Sequence, residues 1–153
     1  MILVDTNVLL RLIQIGHPHQ QPALDAIVLL HQRDREQLVL CPQILYEMYA
    51  VCTRPVDAPS PGLGLVAAAA MAQVETAEHH FHVEPETPTV FSHWKDLVNR
   101  YGVAGKSTHD ARLAALMVDR NISKLLTFND SHFARYSEIV AVNPFDVLGI
   151  ARV

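Results

Sequence analysis

Met1-Ile2-Leu3-Val4-Asp5-Thr6-Asn7 opens the chain. Three apolar residues make too short a run for anything except a buried strand, and the run stops on an aspartate followed by two small polar residues. In open parallel α/β sheets, ligands bind outside the carboxyl ends of the strands, so an acid placed directly after the first strand sits where chemistry happens. The competing reading makes Asp5, Thr6 or Asn7 the cap of a helix beginning at Val8. On these residues alone the two readings stand level.

Working outward, Val8, Leu9, Leu10, Leu12 and Ile13 predict a short helix ended near Gly16 and the His17-Pro18-His19 turn. A second helix after His19 gives way to strand periodicity over residues 38–40. Pro42 suits the first turn of the next helix, where its missing N–H costs nothing. That helix carries Ile44, Leu45, Met48, Tyr49 and Cys52 as an apolar stripe with Glu47 at its edge. Glu47 either looks into a cleft or is a solvated helix residue; Tyr46 and Met48 give it no polar face to belong to. Residues 53–64 are a Pro/Gly-rich loop of functional or mobile type. The chain then predicts an Ala-rich helix over 65–78, an isolated strand over 81–83, and a helix opened by Thr87 or Pro88 and stopped by Gly102. The next helix covers 111–120, with Ser107 as N-cap and Asp110 able to close a capping box. Asp110 also shares a face with Leu113, Ala114 and Met117, on the packed side of that helix. A strand over 125–127 ends on Phe128-Asn129-Asp130, a last strand follows over 139–142, and the tail from Asn143-Pro144 predicts a short helix.

At 153 residues the chain has the length of one domain, 1–153, with a sizeable core. It is 50% hydrophobic and 18% charged, which excludes disorder and suits a compact α/β fold with covered central strands. The net charge of -4 argues against a generally basic nucleic-acid coat, so any nucleic-acid contact must be local or helped by a metal. Two cysteines, Cys41 and Cys52, do not make a disulfide framework and fit a reducing compartment. With no basic leader and no run of membrane-spanning length, the expectation is a cytoplasmic protein without membrane contact.

Four acids stand at comparable places: Asp5 after one strand, Glu47 on a helix edge, Asp110 at a helix start and Asp130 after another strand. If those ends converge, carboxylates ~4 Å apart repel by about 4 kcal/mol at an effective dielectric of 20. Such a cluster needs a cation or raised pKa values. Hard oxygen ligands without several His or Cys favour Mg²⁺ or Mn²⁺ over Zn²⁺. The expected reaction is metal-assisted phosphodiester hydrolysis, in which a metal-held water attacks phosphorus.

Val4-Asp5-Thr6-Asn7-Val8-Leu9, the segment 42–47, His109-Asp110-Ala111-Arg112-Leu113 and Leu125-Leu126-Thr127-Phe128-Asn129 together resemble a PIN domain, in particular the VapC-like toxins of bacterial toxin–antitoxin pairs. The order and spacing of these segments carry the resemblance. It implies an α/β/α sandwich, a parallel sheet flanked by helices on both faces. It also implies a Mg²⁺- or Mn²⁺-dependent endoribonuclease, frequent homodimers, and an antitoxin that blocks the site. Asp5, Glu47 and Asp110 match the three principal acids, with Asp5 and Asp110 as metal ligands and Glu47 as a direct or water-mediated one. Thr6 or Asn7 would orient Asp5, and Thr127 and Asn129 match the polar positions after the fourth strand. Relatives carry a fourth acid at the position of Asn129 or of His132. Here Asp130 lies between them, either substituting through a water or standing as a turn residue beside a three-acid site.

Arg54, Lys106, His109 and Arg112 are the best candidates to hold an RNA backbone, each weighed against an ordinary surface role. His79, His80 and His82 lack zinc-like spacing and read as a solvated helix-to-strand connection. Phe91 and Trp94, at helical spacing, are expected in the core. Two other functions remain open: phosphoryl transfer through an aspartyl phosphate on Asp5, and a catalytically idle module that holds RNA or a partner protein.

Overall fold

The computed structural model describes residues 1–152. Five short strands, β1 (Ile2–Val4), β2 (Leu38–Leu40), β3 (His82–Val83), β4 (Lys124–Leu126) and β5 (Val140–Val142), form one sheet in the order β3-β2-β1-β4-β5. Every adjacent pair is parallel. Eight helices intervene among the described residues: α1 (Thr6–Ile13), α2 (Gln20–Gln32), α3 (Pro42–Thr53), α4 (Ala67–His80), α5 (Val90–Tyr101), α6 (Ser107–Asp119), α7 (Asp130–Phe133) and α8 (Pro144–Leu148). They flank the sheet in an α/β/α sandwich. None is long and apolar enough to cross a membrane.

β1 occupies the centre because all three of its side chains are apolar and both of its edges find partners. Ile2, Leu3 and Val4 are fully buried, together with Val39 and Leu40 of β2 and Leu125 and Leu126 of β4. Truncating Leu3 to Ala would cost about 2–5 kcal/mol, a large part of the stability of a small domain. The chain builds β1, β2 and β3 outward in one direction and returns to place β4 and β5 on the other side. The carboxyl ends of β1 and β4 therefore flank the point where the winding reverses, the place in such sheets where ligands enter.

Residues 82 and 83 are not isolated: Val39 pairs with His82 and Leu40 with Val83, so β3 is an edge strand of the main sheet. α6 begins at Ser107, earlier than its apolar pattern starts. Ser107 is already helical, Lys106 holds the cap position, and no side chain caps the helix, so the capping box with Asp110 does not form. The Pro/Gly-rich segment is pinned to α3. Leu63 N–H donates to the Val51 carbonyl at 3.0 Å and Leu65 N–H to Cys52 at 2.8 Å. At Gly62 a Cβ would meet the carbonyl oxygens of Val51 and Arg54 at 2.4 Å, so only glycine lets the loop lie this close. Both cysteines are free and buried, and burial pushes the Cys41 thiol up to about 12, which leaves it unreactive.

Candidate active site

Asp5 resolves the two readings of the opening stretch. It holds the N-cap position of α1, and its carbonyl accepts from Val8 N–H at 3.0 Å, but its carboxylate makes no cap bond. The side chain turns instead across the gap between β1 and β4. Its Oδ2 accepts from the Thr127 hydroxyl at 2.6 Å and from Asn7 Nδ2 at 2.7 Å. Thr127 is fully used: while donating to Asp5, its oxygen accepts from Asn7 Nδ2 at 2.9 Å and from Asn129 N–H at 3.0 Å. The carbonyl of the Asn7 side chain accepts from Phe128 N–H at 3.0 Å, closing the network between strand ends.

Glu47 enters from α3, oriented from two sides. Thr6 donates its hydroxyl to Oε2 at 3.1 Å, and Gln43 donates Nε2 to Oε1 at 2.8 Å. Thr6 thus positions Glu47, while Asn7 positions Asp5. Tyr46 is 66% exposed, so the helix does have a solvated side there, and Glu47 is drawn inward by its hydrogen bonds rather than by lack of an outer face. Gln43, which no motif singles out, is the hub of this corner. It also donates to the His109 carbonyl at 3.0 Å and accepts from Arg112 Nη1 at 3.0 Å. Its signal was a polar residue four before Glu47 on the packed face of α3.

Asp110 stands in the first turn of α6, where the helix dipole favours an anion. His132 Nδ1 lies 3.8 Å from the Asp110 Oδ2.

The three carboxylates share one field. Asp5 is only 8% exposed, and burial, with added repulsion from Glu47 and Asp110, lifts its pKa from 3.8 to about 6 against the hydrogen bond from Thr127. Burial also raises Asp110, opposed by His132 and reinforced by Glu47. No lysine or arginine forms an ion pair with any of the three among the described residues. Also among these residues, no three His, Cys, Asp or Glu side chains already form a group that could hold a metal ion. By donor type alone, three carboxylates suit a hard divalent cation.

Asp130 is bound elsewhere. It accepts from Asn143 Nδ2 at 3.2 Å and from both terminal nitrogens of Arg152 at 3.1 Å. Burial works to raise it, but these donors hold it below its ordinary range. Asn129 is exposed and supplies its backbone N–H to Thr127. Of the basic candidates, Arg54 is used on Ser60 of the loop (Oγ at 3.0 Å), and Arg112 makes a two-pronged pair with Glu86 at 2.6 and 2.8 Å. Lys106 and His109 are exposed at the start of α6, beside Asp110. His79, His80 and His82 are exposed, as expected of a solvated connection.

A family profile described as PIN domain matches residues 2–139. The chain belongs to the PIN domain family. A search of curated protein sequences returns no match. Among solved structures, the PIN fold of this chain is similar to VapBC2 from Rickettsia felis bound to a promoter DNA fragment, with 14% identity over 94% of this chain and 98% of that one and a TM-score of 0.67. It is also similar to the Mycobacterium tuberculosis VapC20, a sarcin–ricin loop cleaving toxin, with 19% identity, coverage of 91% and 98%, and a TM-score of 0.62. DNA-bound VapBC from Salmonella typhimurium matches at 17% identity, coverage of 94% and 99%, and a TM-score of 0.67.

Proposed function

We propose that this PIN domain is a Mg²⁺- or Mn²⁺-dependent endoribonuclease acting as the toxin of a toxin–antitoxin pair. The observation that carries the nuclease reading is the buried Asp5 carboxylate, raised to about 6 by burial and by its Glu47 and Asp110 neighbours, with no lysine or arginine ion-paired to the three among the described residues. The similarity of fold to toxin–antitoxin structures supports the biological role and an antitoxin partner.

Asp5 and Asp110 would hold the cation directly and Glu47 through a water. When bound, a divalent ion neutralises the carboxylates and draws charge from a phosphodiester oxygen. Thr127 and Asn7 fix the Asp5 carboxylate on Oδ2. Glu47, anchored at both oxygens by Thr6 and Gln43, accepts a hydrogen bond from the attacking water and takes its proton as the new P–O bond forms. The ester P–O bond breaks, and the departing oxygen is protonated from solvent. Lys106 and His109, at the open end of α6, lie where a backbone phosphate would pass. An aspartyl-phosphate route gains no second acid here, because Asn7 spends its side chain on Asp5, Thr127 and Phe128.

The test is cleavage of RNA with Mn²⁺ by the wild type and by Asp5→Asn and Asp110→Asn. Both variants are expected to lose about 10²-fold or more while keeping their circular dichroism spectrum. Cleavage retained in both would overturn the assignment of the chemistry to these acids.

A further inference from the structure

The sequence pattern places Phe91 and Trp94 in the core; the structure packs Trp94, half-buried, against the core and leaves Phe91 outside it. Phe91 is 64% exposed and lies against Trp94 with ring centroids 5.7 Å apart and planes 13° from parallel. Trp94 is fixed, its Nε1–H donating to the Thr108 carbonyl at 3.1 Å, one residue before His109. Lys95 Nζ sits 5.1 Å from the Phe91 ring centre and has no acidic partner among the described residues. Beside the pair opens a cleft of about 390 Å³ lined by Glu86, Pro88, Val90, Phe91, Trp94 and Arg112.

Two features set this cleft apart from the larger apolar hollows beside α2 and beside α4, of about 490 and 500 Å³. It is lined by Arg112 and bordered by Lys95 over the Phe91 ring, on a chain whose overall charge is -4, and it is wired to the acids. Arg112 donates to Gln43, and Gln43 donates to Glu47 and to the His109 carbonyl, so the cleft lies two hydrogen-bonded residues from Glu47. Stacked rings beside basic side chains are the combination that holds single-stranded nucleic acid without strict sequence preference. Glu86 already neutralises part of Arg112, so Lys95 is the cation available to a phosphate.

We propose that the Phe91–Trp94 pair with Lys95 is a base-stacking subsite that holds an unpaired nucleotide of the RNA flanking the scissile bond. This rests on the nuclease reading for the words "scissile bond" and on the cleft itself for the binding. A strand that stacks here passes the start of α6 on its way to Asp110 and Glu47.

Trp94 is the only tryptophan in the chain, so its emission reports the subsite directly. The experiment titrates the wild-type protein in chelator with a short oligoadenylate while following tryptophan fluorescence, then repeats it with Phe91→Ala and Phe91→Tyr. The expected result is quenching on binding, affinity weakened about 5- to 100-fold in Phe91→Ala, and near-native affinity in Phe91→Tyr. Binding with unchanged Trp94 emission, or with equal affinity in Phe91→Ala, overturns the proposal. So does a Phe91→Ala variant whose weaker RNA binding tracks dissociation of a dimer by sedimentation, since the pair would then be a contact between copies. A parallel Mn²⁺ cleavage assay separates the two readings. Cleavage with a silent Trp94 removes the subsite and keeps the nuclease; quenching without cleavage keeps the subsite and removes the nuclease.

Discussion

The carboxyl ends of the strands carry two corners that treat their acids in opposite ways. At one, Asp5, Glu47 and Asp110 act on one another electrostatically, and among the described residues none of them forms an ion pair with a lysine or arginine. At the other, Asp130 is held by Asn143 and by an arginine that also reaches Asp146. Both corners are made of carboxylates, with Asp5 and Asp130 placed after strands and Glu47 and Asp110 brought in by α3 and α6. Their difference is that Asp130 already has an arginine partner, whereas no lysine or arginine pairs with the first trio among the described residues. A buried group kept at raised energy by its surroundings marks where a ligand restores the balance.

The comparison can be broken by titration. In chelator, the folded pKa of Asp5 is about 6 against 3.8, so the folded chain binds more protons than the unfolded one between these values. Stability from this residue is therefore highest below the window and falls as pH rises through it, by ~3 kcal/mol in all. Measured as the difference between wild type and Asp5→Asn in urea unfolding, a flat difference from pH 4 to 7 would remove the special status of the first corner. Asp130, whose pKa is lowered, must contribute in the opposite sense, with stability lost as pH falls below its ordinary range.

Divalent ion sharpens the same contrast. Mn²⁺ at about 100 times its Kd should stabilise the wild type by ~2.7 kcal/mol, read as a rise in Tm of roughly 5–10 °C. Asp130→Asn should show the same rise and Asp5→Asn none. The smallest effect belongs to the second corner itself. Arg152→Ala removes an exposed ion pair and should cost less than about 1 kcal/mol. Asp130→Asn should keep RNA cleavage within roughly tenfold of wild type, a change of about 1 kcal/mol in the barrier. A loss as deep as that of Asp5→Asn would instead make Asp130 a working acid that Arg152 releases.

What could be read from residues alone follows the range of the interactions. Strands β1, β2, β4 and β5 and the helix boundaries at Pro42 and Gly102 are written in local patterns, and they stand within a residue or two of expectation. Asp5 and Asp110 were legible as candidates because each lies at an element boundary, and Glu47 because it edges the apolar stripe of α3. Gln43 was not, since its importance lies in touching His109 and Arg112, 66 and 69 residues away. Phe91 misled for a related reason: helical spacing shows which residues share a face, but not what covers it. The partner of Asp130 was equally hidden, because Arg152 sits in a segment with no pattern of its own.

The bond from Thr127 to Asp5 joins residues 122 positions apart. A ribosome delivers Asp5 well before Thr127, which follows 122 residues later. Until then the central strand lacks its neighbour β4, and Asp5 lacks the hydroxyl that orients it. The acid that comes first in synthesis is among the last groups to be put in place, so an incomplete chain carries the residue without its geometry.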